Sequence, residues 1–444
     1  MALFRFSVVL VIVLCIGSGI AIADEEPYLT KSEFEQFLQQ YRGDHPPVST
    51  GAGKSAWTKG IFTFTPYGFI NLDCSYETDK TTSGDYTIWA NDRGSKDAPR
   101  KSDSGCNIDP KVSRLGVKIE SPGLRGWHGS KTEGLVEFDF YGAFQARNRA
   151  SVRLRRAYVA VSDRNTRLLA GQDWEVISPL FPNTLSSTAG SCVGSLEYRR
   201  GMLRIDQRFD FCNGNNLTFQ FALVDNVFRD GSSIIPASAR YPIIEGRIAY
   251  GFGRHASASG KPVIFGVSSH YGEERITFAG KNVTKYMATR SFNADLDMPI
   301  TKRLTFQMEY FLGENLSSVE GGILQGLDWY REKPIRSQGG WAGLSFQGTD
   351  KLQFNSAFLI DDPFNNDVVT GCPDMPGADG VFKSRLYNHC FFINAIYHWN
   401  QALMTGFEVD FWRTHWQQAD RTGNIVPLAA GESVRCQFTV RYSF

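Results

Sequence analysis

Beyond its first residues the sequence has no apolar stretch of the roughly 18 residues that a membrane-crossing helix requires, and its mean hydropathy is slightly negative. Helical membrane spans are therefore excluded. An excess of charge is also missing: 47 Lys and Arg stand against 46 Asp and Glu. This removes the basic footprint expected of a nucleic-acid partner. The cysteines form no CxxC pair and no Cys/His spacing of a zinc site. The seven histidines fall in no metal or triad pattern, and Glu273-Glu274 reads as a solvated charge pair rather than the two separated carboxylates of a glycosidase. No catalytic group, metal or cofactor is expected. What is plentiful is glycine (43), phenylalanine (33) and tyrosine (17), a composition that suits strands and tight turns.

The first residues fit an export signal. Arg5 precedes an apolar run from Val8 to Ile16, and Ala21-Ile22-Ala23 offers a small-x-small cleavage site before Asp24, so residues 1-23 are set aside from the fold. An exported chain meets an oxidising compartment, which makes the remaining Cys74, Cys106, Cys192, Cys212, Cys372, Cys390 and Cys436 candidates for disulfides. Cys372 with Cys390 would close one loop, and Cys74 would pair with Cys106 or with Cys436. The odd count leaves at least one over. Residues 24-60 form a separate, periplasmic piece. Ser32 and Glu35 suggest a capping box, Phe34, Phe37, Leu38 and Tyr41 recur at helical spacing, and Pro46, Pro47, Gly51 and Gly53 follow as a linker.

From Ile61 to Phe444 the chain alternates. Segments with apolar residues on one face and polar residues on the other lie near 61-76, 112-120, 134-142, 151-162, 166-175, 198-210, 216-225, 242-252, 261-271, 286-298, 302-313, 338-347, 350-360, 384-399, 402-415 and 433-444. Connectors between them alternate short and long, the pattern of an all-β, up-and-down antiparallel barrel of about sixteen strands in an outer membrane. Sixteen strands enclose a water-filled lumen, whereas about eight are filled by their own side chains. The last segment, GESVRCQFTVRYSF, places Val434, Cys436, Phe438, Val440, Tyr442 and Phe444 on one face and Arg435, Gln437, Thr439 and Arg441 on the other. It resembles the closing strand of a bacterial outer-membrane barrel.

A closer match lies between Ser113 and Thr184. SRLGVKIESP at 113-122, TEGLVEFDFYG at 132-142, VRLRRAYV at 152-159, LLAGQDW at 168-174 and SPLFPNTL at 178-185 together resemble the DcaP-like porins, a family typified by a dicarboxylate-permeable channel. The resemblance implies a sixteen-stranded barrel that assembles as a homotrimer, an inward loop that narrows each pore, and basic residues that favour small anionic solutes. The partners it implies are the lipid bilayer and those solutes.

The alternation assigns side chains to the lumen. Arg114, Lys118, Glu137, Asp139, Arg153, Arg155, Arg204 and Arg208 take the inner phase. Such guanidinium groups either draw anions into the pore or pair with Glu137, Asp139 and Asp206 to brace the wall. Arg156 falls on the outer phase. Residues 176-197, with Pro179, Pro182 and Asn183, are either the constriction loop or an ordinary external loop. Phe62, Phe64, Tyr67, Phe391, Tyr397, Trp399, Phe411 and Trp412 are expected among the aromatic girdles. The function that fits is a passive porin for small hydrophilic, anionic solutes. A barrel enzyme of the lipase or protease type and a structural or adhesive surface barrel are the other classes.

Overall fold

A computed structural model describes residues 56–444, apart from 83, 143–149, 191–192, 197, 231–232, 237–238, 254–256, 279–282, 329–330, 369–381 and 420–424. The expected export signal, the expected helix and linker of 24-60 as far as residue 55, and Cys372 lie outside the described residues.

Period-two alternation here builds one sheet that closes on itself. The first strands of the wall are β1 (Phe62–Glu77), β2 (Arg114–Pro122, with an upper piece Gly105–Asp109), β3 (Lys131–Asp139), β4 (Arg153–Ser162), β5 (Thr166–Trp174) and β6 (Arg199–Asp210). They continue as β7 (Asn216–Val224), β8 (Ile243–Phe252), β9 (Val263–Phe278), β10 (Val283–Pro299) and β11 (Leu304–Glu314). The ring is completed by β12 (Arg336–Gln347), β13 (Leu352–Pro363), β14 (Phe382–His398), β15 (Leu403–Ala419) and β16 (Gly431–Ser443). Each strand pairs antiparallel with the next. β16 then returns to β1, from Phe69↔Ser443 to Glu77↔Arg435, so the barrel has sixteen strands and no free edge. Phe444 and Gly68 exchange both backbone hydrogen bonds, at 3.0 and 3.1 Å.

All sixteen expected segments are strands. The differences are at the ends. β9 and β10 run on to Phe278 and from Val283, because Ile276↔Lys285 and Phe278↔Val283 keep pairing. The sheet also begins earlier than Ile61, since Trp57–Lys59 folds back on Phe62–Phe64.

Outward positions carry the apolar load. Ile70, Leu72, Leu203, Ile205, Phe219, Phe221, Phe407 and Phe438 all lie open on the outer surface, where acyl chains replace water. Inward positions are polar along much of the ring, with Asp73, Glu137, Asp139, Arg204, Asp206, Arg247 and Asp295 buried. On β12 to β15 the inner face turns apolar: Trp341, Ala357, Leu359, Phe392 and Trp412 join one buried cluster. Trp412 is thus not a girdle residue, and neither is Tyr67, whose hydroxyl donates to Glu137 at 3.0 Å inside the barrel.

Cys74, Cys106 and Cys390 are free thiols, contrary to the expected pairings. Cys390 sits mid-strand, between Leu359 and Trp412, on the buried inner face. Cys106 stands opposite Tyr76, and Cys74 opposite Ile108 and Phe438. Diagonal neighbours of this kind are about 7–8 Å apart, beyond the reach of a disulfide.

An arginine on the outer surface tests this arrangement. Ile205→Arg, near the middle of β6, should lower unfolding stability in lipid vesicles by about 2–4 kcal/mol. Denaturant titration followed by tryptophan fluorescence measures it, and an unchanged midpoint would place Ile205 away from lipid.

Candidate functional site

The connection from β5 to β6, residues 175–198, does not stay outside. Pro179 and Pro182 deny it regular pairing, and its backbone groups are met instead by side chains of the opposite wall. Val176 N–H donates to Glu245 on β8 at 3.0 Å, and Ser268 on β9 donates to the Ile177 carbonyl at 2.7 Å. Glu309 on β11 accepts from the Ser178 hydroxyl at 2.6 Å and from Leu180 N–H at 2.7 Å. Asn183 donates to Ser345 on β12 at 2.8 Å.

Glu408 on β15 then receives the turn of the loop. Thr184 Oγ1, Leu185 N–H and Ser186 N–H donate to it at 2.8, 2.8 and 2.9 Å, and Asn394 joins at 2.8 Å. Apolar contact supplies the rest: Leu180, Ala189 and Val193 pack with Trp341, Leu359, Phe392 and Trp412. Gly194 (φ +90°) passes so close to the wall that a Cβ there would lie 2.6 Å from the Gly340 carbonyl oxygen. The loop lies inside the barrel and hugs its β8–β16 side.

An opening of about 210 Å³ lies beside β1 to β6. Five arginines line it, Arg114, Arg153, Arg155, Arg199 and Arg441, against two carboxylates, Asp139 and Glu320. Tyr86, Tyr141, Trp174, Phe181 and Tyr198 supply aromatic walls. Arg153 forks onto Asp139 at 2.9 and 2.6 Å. Arg155 bridges Glu137 and Asp139, both at 2.9 Å. Arg441 donates to the neutral Asn71 Oδ1 at 2.9 Å and lies 4.3 Å from the Phe69 ring centroid, while Arg199 stacks over Trp174 at 4.2 Å. Burial raises the pKa of Tyr141, above the strand ends, and keeps its hydroxyl protonated; the hydroxyl donates to the Asp85 carbonyl at 3.1 Å.

Of the residues expected in the lumen, Arg114, Asp139, Arg153 and Arg155 reach the passage. Glu137 stands behind them as acceptor for Arg155 and Tyr67. Lys118 pairs with Glu120 at 3.1 Å and Glu133 at 3.6 Å, Arg204 with Asp206 at 2.7 Å and Arg208 with Asp210 at 2.6 Å. These three brace the wall and do not line the opening. Asn183 anchors the loop, and Phe181 and Thr184 to Ser187 line the opening instead of Pro179 and Pro182.

Arg156 does not face outward. Glu137 stands opposite Arg156 and Phe138 opposite Leu154, so the strand is bulged at Arg155 and consecutive arginines turn inward. Arg156 meets Asp173 at 2.8 Å. Sequence reading missed Arg199 and Arg441 as lining residues. Arg441 was legible in the phase of Arg435, Gln437 and Thr439, whereas the doublet Arg199-Arg200 hides which of the two faces the passage.

Removing the Glu408 carboxylate should loosen the constriction. Glu408→Ala leaves two loop N–H groups without their acceptor, at a cost of about 1–3 kcal/mol, and is expected to raise single-channel conductance in planar bilayers, with Glu408→Gln between it and the parent. Unchanged conductance in both variants would show that the loop is held without Glu408.

No family model matches the chain, and no curated protein does. Solved structures do. The outer membrane channel DcaP of Acinetobacter baumannii superposes with a TM-score of 0.61 at 14% identity, over 87% of this chain and 99% of that one. An anion-selective porin from Comamonas acidovorans gives a TM-score of 0.51 at 11% identity, over 86% and 100%. OmpT, an outer membrane protein of Vibrio cholerae, gives 0.50 at 11% identity, over 88% and 100%. The chain therefore has the sixteen-stranded barrel fold of outer-membrane porins and channels.

Proposed function

We propose that this protein is an outer-membrane porin, a passive passage for small hydrophilic solutes with a preference for anions of the dicarboxylate kind. The observation that carries the reading is the charge at the constriction: five arginines face two carboxylates, and Arg441 spends its guanidinium on a neutral amide. Arginine presents a planar fork that matches a carboxylate, and passage needs several weak sites rather than one strong one. Arg114, Arg153, Arg155 and Arg441 come from three strands, β2, β4 and β16, so a solute in the passage meets several guanidinium groups. Location in the outer membrane is supported by the export signal and by the apolar outer belt, and assembly as a homotrimer by the family resemblance. An enzyme reading has less to stand on, since Asp139, the wall carboxylate at the opening, is already committed to Arg153 and Arg155.

Planar-bilayer recording tests the proposal. The full chain should give stepwise conductance, and under a salt gradient its reversal potential should lie on the anion side. Arg153→Ala with Arg199→Ala should move that potential toward the cation side. An unchanged reversal potential would remove the arginine face from the selectivity claim, and absence of steps would overturn the channel.

A further inference from the structure

The outer surface of β13 to β16 carries a feature that the passage does not use. Going up β15 from the short-turn rim, the outward residues are Phe407, Val409 and Phe411, and on β14 they are Ile393 and Phe391. Phe391 and Phe411 stack at 6.1 Å. Leu403 to Phe411 rise by roughly 20 Å in a tilted strand, close to the ~25 Å apolar band of such barrels. Directly above, the character changes. His389 stands opposite Arg413, Tyr387 opposite His415, and Glu432 of β16 on the other side of Arg413.

These side chains form one patch at the level where acyl chains give way to headgroups. The Tyr387 ring lies 5.1 Å from His389 and 5.8 Å from His415. The Arg413 side chain is 48% exposed, and its one ion pair among the described residues, to Glu432 at 3.2 Å, is 53% exposed on the acidic side. His389 Nδ1 is buried without a hydrogen-bond partner, and Lys96, on the loop after β1, adds positive charge within electrostatic reach of His415. Elsewhere on the same rim the arginines are matched more closely: Arg240 forks onto Glu273 at 2.6 Å, Arg290 meets Glu314 at 2.9 Å and Arg336 meets Asp367 at 2.7 Å. Among the described residues, only this patch combines a guanidinium and two imidazoles with a single exposed carboxylate.

The geometry points to a phosphate-binding site, formed by Tyr387, His389, Arg413 and His415 and occupied by the phosphorylated headgroup of a lipid in the surrounding leaflet. Its position favours a lipid over a free anion. Phe391 and Phe411 lie immediately below, where the lipid's first methylenes would run, and cations at this depth are attracted to anionic headgroups. The inference rests on the outer-membrane reading above.

Native mass spectrometry of the detergent-solubilised full chain tests it, with phosphatidic acid and diacylglycerol of the same acyl chains as probes. The parent should retain phosphatidic acid about tenfold more than diacylglycerol. Arg413→Gln should reduce that ratio, and the triple variant with His389→Gln and His415→Gln should bring it near one. Equal retention of both lipids by the parent, or undiminished retention by the variants, would overturn the site. Displacement by inorganic phosphate at matching concentration would assign it to the free anion and overturn the lipid occupant. Conductance of Arg413→Gln should equal the parent's, since the residue faces away from the passage; failure of the parent to conduct would count against the channel alone.

Discussion

The constraint on which this structure depends is that a backbone in hydrocarbon has no water to satisfy its N–H and C=O groups. Strands meet it only if every one has two neighbours. The pairing of β16 with β1 from Phe69↔Ser443 to Glu77↔Arg435 is therefore what turns a long meander into a wall. Once the wall closes, alternation has a consequence that it lacks in an open sheet: every second residue is given to lipid and the others to an enclosed space.

That enclosed space is not uniform. Along much of the wall the inner face is polar, but β12 to β15 present Trp341, Leu359, Phe392 and Trp412 to the interior. Apolar groups facing a water-filled lumen would be costly to leave bare. The 175–198 loop covers them with Leu180, Ala189 and Val193, and Glu309 and Glu408 accept the N–H groups that a loop in the interior would otherwise leave unpaired. Hydrophobic burial draws the loop to one side, and carboxylate hydrogen bonding fixes its height. The opening is left on the opposite side, beside the arginines.

The same arginines hold the wall together and set the field in the passage. Arg204 and Arg208, matched with Asp206 and Asp210, contribute little net charge. Arg441 donates to a neutral partner, Asn71, and Arg114 stands 3.7 Å from Glu137. Charge excess at the opening comes from the imbalance among close neighbours and not from the number of basic residues, since the whole chain is almost neutral.

The strand count and the inner phase of Glu137, Asp139, Arg153 and Arg155 were legible from residue order, because a period of two is a local property, whereas the inward course of the loop between the fifth and sixth strands was implied by the family resemblance and left open by its residues. Arg156 was not, since a bulge shifts phase without any mark in composition. The apolar interior of β12 to β15 left a weak trace in runs such as Cys390-Phe391-Phe392 and Phe411-Trp412, where both faces are apolar, a sign of strands covered on both sides. Which arginines line the opening, and which thiols remain apart, was decided only when the sheet closed. Closure sets the distances between side chains from strands that are far apart in sequence, and no local pattern encodes those distances.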